Sequence, residues 1–543
     1  MSGMKNRASP TASRVQCEEE CLDSGMSYAC WRLRRLAAIA GICGFMLTCS
    51  SGSDRVLINS PLSSVSSTKN PLVAEYVVSS SQGGQARVEF GTDALYEKQT
   101  AWYVVPPGGV GVAIQVAGMK PSTTYHMRAE VFSNGNSWFD VDREYTTGPL
   151  PSVKFPTLVV TRPNPPILGA AENSGVELVN LTEPVANMMQ AIVSDRDGNP
   201  IWYYDVGSDQ ANLPEPVRLL PNGHVLINIQ NGATGATQLR EVDLVGRTIR
   251  QMDAPTLQQK LRDAGHSVDA LDFHHDFLPL KNGHLIVLGN AAQEFIDLPG
   301  YPGTTRVIGD LLVDLDEGWD PVWYWSAFDH LDVNRHLDGL PDWTHSNAIA
   351  YTPNDGNLLI SMRNQSWILK LEYHDGAGSG NVLWRLGEGG DFALTGLDPS
   401  QWFYAQHFPS LVNTVGPLTT MAVFDNGNLR VLDKNGTECG SPGGPACYSR
   451  AIVLQIDEGS KIASILWQYT PGPYSIWGGS INQLANGNVE FDMSAPFPEL
   501  KSSRVLEVSQ ADTPQIVWQM DIQEGHAYRA YRMPSLYPGV SWK

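Results

Sequence analysis

Three histidines recur at equivalent places in the chain, and their side chains could act as nucleophiles, acids or bases. His274, His345 and His407 each stand four residues before an aliphatic residue of a predicted strand, and Gly478 takes the corresponding place in a later segment. Neutral imidazole is a competent nucleophile near pH 7 because its unperturbed pKa is about 6.5. Three such side chains at the same end of neighbouring strands would converge on one site, whereas any one of them alone is more often structural.

Arg363 interrupts an otherwise apolar stretch and indicates what these histidines would handle. The segment Ser361–Ser366 reads SMRNQS, with no carboxylate beside the arginine in sequence. A charge in an apolar strand is costly unless it is paired. Because guanidinium binds sulfate or phosphate through two hydrogen bonds, we predict a bound oxyanion as its partner. Metal is the competing use of three histidines, but Arg363 would repel a dication and no HxH or HExxH pair lies near them, so we expect neither metal nor cofactor.

Five turn motifs indicate the strands that must position these side chains. Each combines Asn or Asp with Gly, as tight hairpins require where φ is positive, and each precedes an apolar strand. The five motifs are Leu220–Gly223, Leu280–Gly283, Pro353–Gly356, Phe424–Gly427 and Leu484–Gly487. Their recurrence at similar intervals predicts a repeat architecture.

A second repeated feature is a strand that carries an aliphatic residue followed by tryptophan. It occurs at Ile201–Trp202, Val322–Trp323, Leu383–Trp384, Leu466–Trp467 and Val517–Trp518, and Ile249 takes the same place in a further unit. Six units of four strands favour an all-β fold in which residues 167–543 form a six-bladed β-propeller. Five or seven blades stay open on this count. Because inner strands line the channel of a propeller, the three histidines would meet at one mouth of it.

Residues 71–148 show the pattern of a small β-sandwich of the immunoglobulin or fibronectin III type. Tyr125–Val131 alternates between apolar and polar residues as a strand does. Met119–Tyr125 resembles the fibronectin type III corner, in which a tyrosine precedes a core strand. On either side, we predict that the Ser-rich residues 50–70 form a flexible tether and that the Pro-rich residues 149–166 form a stiff linker.

The amino-terminal residues 1–49 have the pattern of an export signal. Arg32–Arg35 is a positive cluster, and Leu36–Leu47 is an apolar run too short to cross a membrane as a helix. Cys49 stands where a bacterial lipoprotein signal places its lipidated cysteine. We therefore expect either lipidation or ordinary cleavage there, with Met26 as the true start. The protein is expected to be exported to the periplasm and to meet the membrane only through this lipid anchor.

The cysteines support the same compartment. The chain has seven, and four of them precede Cys49 and would be removed with the signal. Only Cys439 and Cys447 then remain besides the lipidated residue. Because an exported protein folds in an oxidising compartment, we predict a disulfide between them.

Composition excludes several classes of protein. A hydrophobic fraction of 42% with only 17% charged residues is typical of a chain with a large core and not of a disordered one. The formal net charge of −20 repels nucleic acid and anionic lipid headgroups, so neither is a predicted partner. A local basic pocket within an acidic protein is still allowed.

Several motifs together resemble the bacterial arylsulfate sulfotransferases, in the family's order along residues 155–535. They are Phe273–Asp276 (FHHD), Asp342–Asn347 (DWTHSN), Ser361–Ser366 (SMRNQS), Gln406–His407, Val423–Gly427 (VFDNG) and Cys447–Arg450 (CYSR). The resemblance implies a small β-sandwich before a six-bladed propeller in the periplasm. It also implies sulfuryl transfer from a phenolic sulfate ester to a phenol by a ping-pong reaction through a sulfohistidine, without a nucleotide donor.

Carried over motif by motif, the resemblance implies a role for each residue. His407 would be the nucleophile, and His345 with Arg363 would hold the sulfuryl oxygens, with Asn347 beside them. His274 would act as general acid and base, and the neighbouring His275 is the alternative. The implied partners are a small phenolic sulfate donor and a phenol acceptor. Phe408–Pro409 departs from the smaller residues expected after the nucleophile, which leaves the natural substrates undetermined, and a homodimer stays open.

Two other classes of function compete with this interpretation. The first is a non-catalytic propeller lipoprotein that binds an anionic ligand at the channel mouth, which would show affinity without turnover. The second is a quinone- or metal-dependent oxidoreductase on the same fold, which would contain a metal or an absorbing cofactor when purified.

Overall fold

Antiparallel sheets account for nearly all of the regular structure, which confirms the predicted all-β class. The computed structural model describes residues 63–182, 188–207, 212–398, 401–432, 436–442, 445–497 and 502–542. The predicted signal with its candidate start Met26, and the candidate lipidation site Cys49, lie outside the described residues. Within the described ranges, no helix is long and apolar enough to cross a membrane.

Two sheets in residues 64–146 share one apolar core. Their strands are β1 (Ser64–Ser67), β2 (Ala74–Val78), β3 (Gly84–Gly91), β4 (Lys98–Gln99), β5 (Tyr103–Val105), β6 (Val112–Val116), β7 (Thr124–Ser133), β8 (Asn136–Phe139) and β9 (Arg143–Thr146). Strands β1, β2 and β6 form one sheet. Strands β3 and β7 pair at the centre of the other sheet, which also contains β4, β5, β8 and β9. Tyr125 is buried, and its hydroxyl accepts a hydrogen bond from Lys120 N–H at 2.9 Å, a contact typical of the predicted tyrosine corner.

The predicted flexible tether over residues 50–70 is wrong for its described part. Strand β1 pairs with β2 along its whole length, and Val65 packs against the core. Asn70 is buried, with its Nδ2 donating to the Tyr203 carbonyl at 3.1 Å and its Oδ1 accepting from Leu72 N–H at 3.1 Å. A Ser-rich composition is therefore not sufficient to predict flexibility here, because the backbone of β1 is paired and the Val65 side chain packs against the core.

Six sheets follow between residues 157 and 533, and we number them in chain order. Sheet 1 contains β11 (Val176–Leu181), β12 (Ala191–Ser194), β13 (Pro200–Tyr204) and the last strand, β37 (Ala527–Met533). Sheet 2 contains β14 (Asn212–Leu219), β15 (Val225–Asn231), β16 (Thr237–Val242) and β17 (Thr248–Asp253). Sheet 3 contains β18 (Ala270–Pro279), β19 (Leu285–Leu298), β20 (Tyr301–Leu315) and β21 (Pro321–Ser326).

The other three sheets continue the pattern. Sheet 4 contains β22 (Ser346–Thr352), β23 (Asn357–Met362), β24 (Trp367–Leu371) and β25 (Val382–Leu386). Sheet 5 contains β26 (Ala393–Gly396), β27 (His407–Val415), β28 (Leu418–Asp425), β29 (Arg450–Asp457) and β30 (Ile462–Tyr469). Sheet 6 contains β10 (Thr157–Thr161), β32 (Ile481–Gln483), β33 (Val489–Met493), β35 (Ser502–Val508) and β36 (Ile516–Gln523).

A few short elements lie between these sheets. Strands β31 (Tyr474–Ser475) and β34 (Pro496–Phe497) pair with each other, and the α-helices are α1 (Ala254–Asp263) and α2 (Ala327–His330). Single 3₁₀ turns occur at Arg363–Gln365 and His374–Gly376. Helix α1 begins after Asp253, whose side chain accepts a hydrogen bond from Thr256 N–H and so caps the first turn.

One strand of each sheet contacts strands of the neighbouring sheets, and we call it the first strand of its sheet: β37, β14, β18, β22, β27 and β32 in sheets 1 to 6. Strand β14 contacts β37 and β18, β18 contacts β22, β22 contacts β27, and β27 contacts β32, while β37 also contacts β33 of sheet 6. Apolar faces of adjacent sheets pack together, as Leu226 and Leu239 of sheet 2 do against Val287 and Val313 of sheet 3. The beginnings of these first strands are therefore brought close to one another.

The aliphatic–tryptophan feature marks one particular strand in each sheet. The six marked segments lie in β13, β17, β21, β25, β30 and β36. Each of these is the fourth strand across its sheet, counted from β37, β14, β18, β22, β27 and β32 respectively. Four of the five predicted hairpin turns also connect consecutive strands, in sheets 2, 3, 4 and 6. These local patterns were sufficient because each depends on residues a few positions apart.

The fifth predicted hairpin, Phe424–Gly427, is wrong. In sheet 5 the turn between β27 and β28 lies at Gly416, whose φ is +59°. Val415 before this glycine pairs with Leu418 after it. The Phe424–Gly427 motif ends β28 instead, and the apolar residues after it form no strand in the described ranges. Asp425 there accepts hydrogen bonds from Arg430 and Arg450, so long-range contacts account for the motif's polar residues.

The predicted linker over residues 149–166 is also wrong in part. Strand β10 lies within it and pairs antiparallel with β36 at the outer side of sheet 6. Its sequence, TLVVT, contains four β-branched residues and no proline, which favours a strand. The prolines that suggested a stiff linker stand on either side of it.

The predicted disulfide between Cys439 and Cys447 is present. It lies in the segment that connects β28 with β29. Cys439 is buried, and its N–H donates to the Arg430 carbonyl at 2.9 Å. The bridge therefore lies in the segment that begins at Asn426, directly after Asp425 at the end of β28.

Candidate active site

Three histidines meet near the beginnings of the first strands of three adjacent sheets. His275 lies in β18, His345 directly precedes β22, and His407 begins β27. The ring centroids of His275 and His345 are 4.7 Å apart. The ring of Tyr528, in β37, has its centroid 5.4 Å from that of His275 and 6.4 Å from that of His407. Sheets 3, 4 and 5 thus each contribute one histidine, and sheet 1 contributes the tyrosine beside two of them.

His407 is held in one orientation by contacts on both ring nitrogens. Its Nδ1 lies 2.7 Å from Asn426 Oδ1, and Gly478 N–H donates to its Nε2 at 3.3 Å. An amide oxygen only accepts hydrogen bonds, so the proton is on Nδ1 and the lone pair is on Nε2. The side chain is 2% exposed, so this lone pair points into a protected space. Nε2 is therefore the ring nitrogen of His407 that carries the lone pair.

His275 and His345 form a direct pair. Their Nε2 atoms are 2.9 Å apart, so one ring donates and the other accepts. The second nitrogen of each ring faces a carboxylate: His345 Nδ1 bonds to Asp342, and His275 Nδ1 lies 3.3 Å from Glu215 Oε1. A carboxylate beside an imidazole orients the ring and influences which of its nitrogens carries the proton. The pair can therefore hold and move a proton next to His407.

His274, which spacing along the strand assigns to the acid–base role, faces a carboxylate and not His345. Its Nε2 lies 3.2 Å from Asp310 Oδ1 of β20. Although burial opposes the charge, this carboxylate raises the pKa of His274 to about 9. The register of β18 against β19 shifts between Phe273 and Phe277, and φ of His275 is +53°. Such a bulge re-aims a side chain, so His275 and not His274 contacts His345.

Burial and positive neighbours keep two of these rings neutral. Burial lowers the pKa of His407 well below its usual value, and the charges of Arg363, His345 and Arg529 lower it further, while the Asn426 hydrogen bond opposes them. Burial also lowers the pKa of His275, together with the charges of His345, His274, His407 and Arg529. Two neutral imidazoles therefore stand among cationic groups, an environment suited to an anionic ligand.

Arg363 is paired with a carboxylate, contrary to the expectation that it lacks one. It begins the 3₁₀ turn after β23, and its Nη1 donates to Asp338 Oδ2 at 2.8 Å and to Asn364 Oδ1 at 2.5 Å. Asp338 stands too far upstream in sequence to be recognised as its partner. Among the described residues, neither Nε nor Nη2 of Arg363 forms a hydrogen bond, so the guanidinium keeps one donating edge toward a ligand.

Asn347 bonds to the residue that precedes His407. It is fully buried in β22, and its Nδ2 donates to the Gln406 carbonyl at 2.8 Å. Gln406 is also buried, and its side chain donates to Ser361 Oγ and to the Trp367 carbonyl. These bonds connect Gln406 to sheet 4, so the described contacts of Asn347 position the backbone beside His407.

A cavity of about 260 Å³ opens beside the histidine pair. It is lined by Glu215, Asn228, Gln230, Asp272, Phe273, His274, His275, Asn290, Ile308, Asp342 and His345. Carboxylates and amides are numerous among these residues, but most of the surface that faces the cavity is apolar. Within the described residues, no group of three or more His, Cys, Asp or Glu side chains is arranged to hold a metal ion.

The chain matches a protein family whose chemistry fits this site. The profile of the arylsulfotransferase (ASST) family matches residues 168–532, about two thirds of the chain. The chain belongs to the arylsulfotransferase family. It is accordingly a sulfotransferase enzyme, whose family acts on small aryl sulfates and phenols.

Comparisons with individual proteins add little to this assignment. A search of curated proteins finds no match. Among solved structures, an ACO/RPE65 chimera is 10% identical over 87% of this chain and 96% of its own, with a TM-score of 0.32. A Synechocystis apocarotenoid oxygenase mutant is 10% identical over 84% of this chain and 95% of its own, also with a TM-score of 0.32. At such scores the similarity carries no argument about function.

The arylsulfotransferase site contains a buried arginine that sequence reasoning missed. Arg529 of β37 is fully buried, donates to the Asn347 carbonyl and lies 3.2 Å from Asp276 Oδ1. Asp276 also accepts from Arg218 at 2.6 Å and from Ile349 N–H at 2.8 Å. One carboxylate therefore ties together β14, β18, β22 and β37. A charge inside an apolar strand drew attention to Arg363, and the same signal is present at Arg529.

Two further residues of the site have weaker sequence signals. Tyr528 is buried beside His275 and His407 but stands among several tyrosines near the end of the chain. Asn426 belongs to the Phe424–Gly427 motif, which was interpreted as a hairpin turn. Its side chain bonds to His407 because β28 runs antiparallel to β27, with Phe424 opposite His407.

Proposed function

We propose that this arylsulfotransferase transfers a sulfuryl group from a phenolic sulfate ester to a phenol by a ping-pong reaction, with His407 sulfated in between. The observation that carries the proposal is the buried His407 ring, with its proton on Nδ1 and its Nε2 lone pair occupied only by a long hydrogen bond, 3.3 Å, from Gly478 N–H. The positive charges that lower its pKa come from Arg363, His345 and Arg529. These groups attract the sulfate ester and keep the nucleophile unprotonated.

In the first half-reaction, His407 Nε2 attacks the sulfur and the bond from sulfur to the aryl oxygen breaks. The transition state is expected to be loose and in line, like that of phosphoryl transfer, so positioning and charge dominate. Arg363, through Nε and Nη2, and His345 would bind the sulfuryl oxygens. The departing phenolate oxygen takes a proton from His275. A bound sulfate ester favours that proton, because its negative charge opposes the cationic neighbours that lower the pKa of His275.

In the second half-reaction, the acceptor phenol gives its proton back to His275. Its oxygen attacks the sulfur, and the bond between sulfur and Nε2 breaks with the electron pair returning to the ring. Each cycle therefore leaves His275 protonated and His407 neutral, as in the complex with bound donor from which the cycle began. We assign the acid–base role to His275 because it contacts His345, whereas His274 lies within ion-pair distance of Asp310.

We also propose that sheets 1 to 6 are the blades of a closed six-bladed propeller and that residues 64–146 form a β-sandwich. In support, the last strand, β37, pairs with β11 of the first sheet, as expected where the two ends of a propeller join. The contacts between first strands run from sheet to sheet and return to β37. The apolar faces of the two amino-terminal sheets share one core.

Export stays a proposal as well. Residues 1–49 would direct the protein to the periplasm, with Cys49 either lipidated or lost with the signal. The disulfide between Cys439 and Cys447 supports an oxidising compartment. Mass spectrometry of the mature amino terminus in a bacterial host would test this. A mature chain that begins at Cys49 with lipid attached is expected, and an unprocessed Met1 or Met26 would contradict export.

The reaction is tested with 4-nitrophenyl sulfate in the presence and absence of phenol. Without phenol, we expect a burst of 4-nitrophenolate equal to the enzyme concentration and a peptide containing residue 407 that is heavier by one sulfuryl group. Phenol should discharge this adduct and permit continuous turnover. Neither a nucleotide nor an added metal should be needed, and turnover that is abolished by chelator and restored by zinc would contradict the proposal.

The matched variants are His407→Asn and His224→Asn. The first removes the nucleophilic lone pair, so the burst should fall by several orders of magnitude. The second replaces a histidine bonded to Glu241 at the opposite end of β14, and it should retain the burst. A His407→Asn enzyme with a tenth of the normal rate would show that another residue is the nucleophile. Binding of the donor without any release of 4-nitrophenolate by the unaltered protein would favour the non-catalytic alternative.

A further inference from the structure

We propose that Asn426 keeps the Nδ1 proton on His407 throughout the reaction, so that the sulfated ring stays a cation and releases its sulfuryl group rapidly. Asn426 is thus a positioning residue, acting through His407 and not on the substrate. The inference rests on the proposed sulfohistidine at His407. It adds a reason why an amide, and not a carboxylate, stands behind the nucleophile.

The orientation of the Asn426 side chain is determined by its donors. The residue is fully buried, and its Nδ2 donates to the Ser475 carbonyl at 2.9 Å and to the Gly478 carbonyl at 3.1 Å. Carbonyl oxygens only accept, so the amide nitrogen must face them and Oδ1 must face His407. The Asn426 carbonyl itself accepts from Ser449 Oγ at 2.9 Å. Asn426 therefore cannot rotate to offer a donor to His407 without losing two buried hydrogen bonds.

His407 differs in this respect from other histidines of the described chain. Six of them lie within salt-bridge distance of a carboxylate: His126, His224, His274, His275, His284 and His345. A carboxylate can accept the ring proton outright, whereas an amide oxygen is far too weak a base to do so. The ring nitrogen behind the nucleophile of this site therefore keeps its proton.

The consequence for the reaction follows from the electron count. When Nε2 bonds to sulfur and Nδ1 keeps its proton, the ring is positive and the attached sulfonate negative. When an acceptor oxygen attacks the sulfur, the bond between sulfur and Nε2 breaks and the pair returns to a neutral imidazole. If the Nδ1 proton were lost first, the leaving group would be an imidazolate anion, a much stronger base and a much poorer leaving group. Retention of the proton therefore accelerates the second half-reaction.

The test is Asn426→Asp, which preserves shape but places a base behind the ring. Two rates are measured separately: sulfation of residue 407 by 4-nitrophenyl sulfate without acceptor, and loss of the adduct after phenol is added, followed by rapid quenching and mass spectrometry. We expect the variant to become sulfated but to transfer to phenol at least tenfold more slowly than the unaltered enzyme. Lowering the pH should restore transfer, because protonation of the introduced carboxyl group leaves a neutral, weakly basic acceptor behind the ring, as the amide does.

The matched control is Asn180→Asp, which places the same acid at a buried amide of β11 that bonds to the Pro214 carbonyl. It should leave the ratio of the two half-reaction rates, and their pH dependence, unchanged. Equal slowing of both half-reactions by Asn426→Asp, or transfer that is slow at every pH, would indicate a merely structural role and overturn the proposal. Absence of a sulfated residue 407 in the unaltered enzyme would instead contradict the proposed function.

A measurement on the unaltered protein covers the case in which Asn426→Asp does not fold. Nitrogen NMR of labelled histidine, with the His407 signals assigned by their absence in His407→Asn, reports which ring nitrogen carries the proton. Near neutral pH we expect a protonated Nδ1 and a bare Nε2, and the sulfated enzyme should still carry the Nδ1 proton. A bare Nδ1 in either state would overturn the proposal.

Discussion

At the scale of single residues, the site contains two imidazoles that lie among positive charges and are neutral in the free protein. In the proposed reaction His407 must be unprotonated to attack sulfur, and burial with its cationic neighbours lowers its pKa. The charges proposed to bind a sulfate ester therefore also disfavour protonation of His407. His275, whose pKa is likewise lowered, can release and recover a proton once an anion lies beside it.

The first prediction concerns the pH dependence of sulfation. Because the folded-state pKa of His407 is below the usual 6.5, the burst with 4-nitrophenyl sulfate should not decline as pH falls to that value. The decline should begin only at lower pH, where the ring takes up a proton. In Arg363→Gln the midpoint should move upward, because the charge of Arg363 contributes most to the shift after burial. Quenched-flow rates between about pH 4.5 and 8, on either side of the ordinary histidine pKa, would check this, and a midpoint at or above 6.5 in the unaltered enzyme would contradict it.

The second prediction separates the two adjacent histidines. General acid–base catalysis typically contributes about 10²–10⁴-fold, so His275→Asn should reduce transfer to phenol by at least about a hundredfold. His274→Asn, which removes a ring bonded to Asp310, should reduce it less than about tenfold. The measurement is the rate at which phenol discharges the sulfated enzyme. The reverse order of effects would return the role to His274.

At the scale of elements, a bulge in β18 and a polar pair between β18 and β20 determine which histidine faces the site. The bulge turns His275 toward β22, and His274 is left to pair with Asp310, which is fully buried in β20. That pair stabilises the folded state only while His274 is protonated. Because its folded pKa of about 9 lies above the unfolded value of 6.5, its contribution is complete below pH 6.5 and is lost as pH rises through 9.

This gives the third prediction, which concerns stability. The free energy of unfolding should fall between pH 6.5 and 9 by a contribution on the order of 3 kcal/mol from this pair, since each unit of pKa shift corresponds to about 1.4 kcal/mol. His274→Asn should lower stability at pH 6 but weaken the decline toward pH 9. The control is His126→Asn, at a half-exposed ion pair with Asp142. Denaturant unfolding at several pH values would measure both, and an unchanged slope in His274→Asn would contradict the assignment.

The fourth prediction concerns the disulfide segment between β28 and β29. A bridge between residues eight positions apart constrains the unfolded chain by about 2–3 kcal/mol in the entropic account. Replacing both Cys439 and Cys447 by serine should lower the melting temperature, while folded molecules keep the burst. In the unaltered protein, thiol labelling under denaturing, non-reducing conditions should modify neither cysteine. A double variant that melts normally but has no burst would place the segment in the active site.

At the scale of the whole molecule, the last residues of the chain connect sheet 1 with the two amino-terminal sheets. Strand β37 completes sheet 1, and the residues after it cross to the amino-terminal sheets. Trp542 is 3% exposed, and its Nε1 donates to the Gln99 carbonyl at 2.9 Å. Its ring lies edge-on to Phe90 at 5.9 Å between centroids, and Tyr537 OH donates to the Gln115 carbonyl at 2.8 Å. The last residues thus form part of the amino-terminal core.

The fifth prediction follows from that arrangement. Trp542→Ala should destabilise the protein by about 3–5 kcal/mol, the range typical of a large buried aromatic side chain, and calorimetry should show a lower melting temperature. Trp102→Ala, at a tryptophan that is 40% exposed, is the matched control and should change it little. Sulfation of His407 at room temperature should be unaffected by either variant. A loss of the burst in folded Trp542→Ala would show that the amino-terminal sheets take part in the reaction.

The sequence by itself determined the features that depend on neighbouring residues and on composition. Alternating strands, four of five hairpin turns and the aliphatic–tryptophan strands follow from local backbone preferences, and the family motifs identified His345, His407 and Arg363. The disulfide could be predicted because only two cysteines remain outside the predicted signal. The Ser-rich and Pro-rich stretches misled where paired strands, β1 and β10, run through them.

Only the tertiary structure decided which side chains meet. The bulge in β18 selects His275, Asp338 approaches Arg363 from upstream, Asn426 lies opposite His407 across a strand pair, and Arg529 comes from the last strand. Each of these contacts joins residues that are distant in sequence or depends on a one-residue change of register. Side-chain direction reverses with each residue along a strand, so spacing in the sequence could indicate the site without assigning its members.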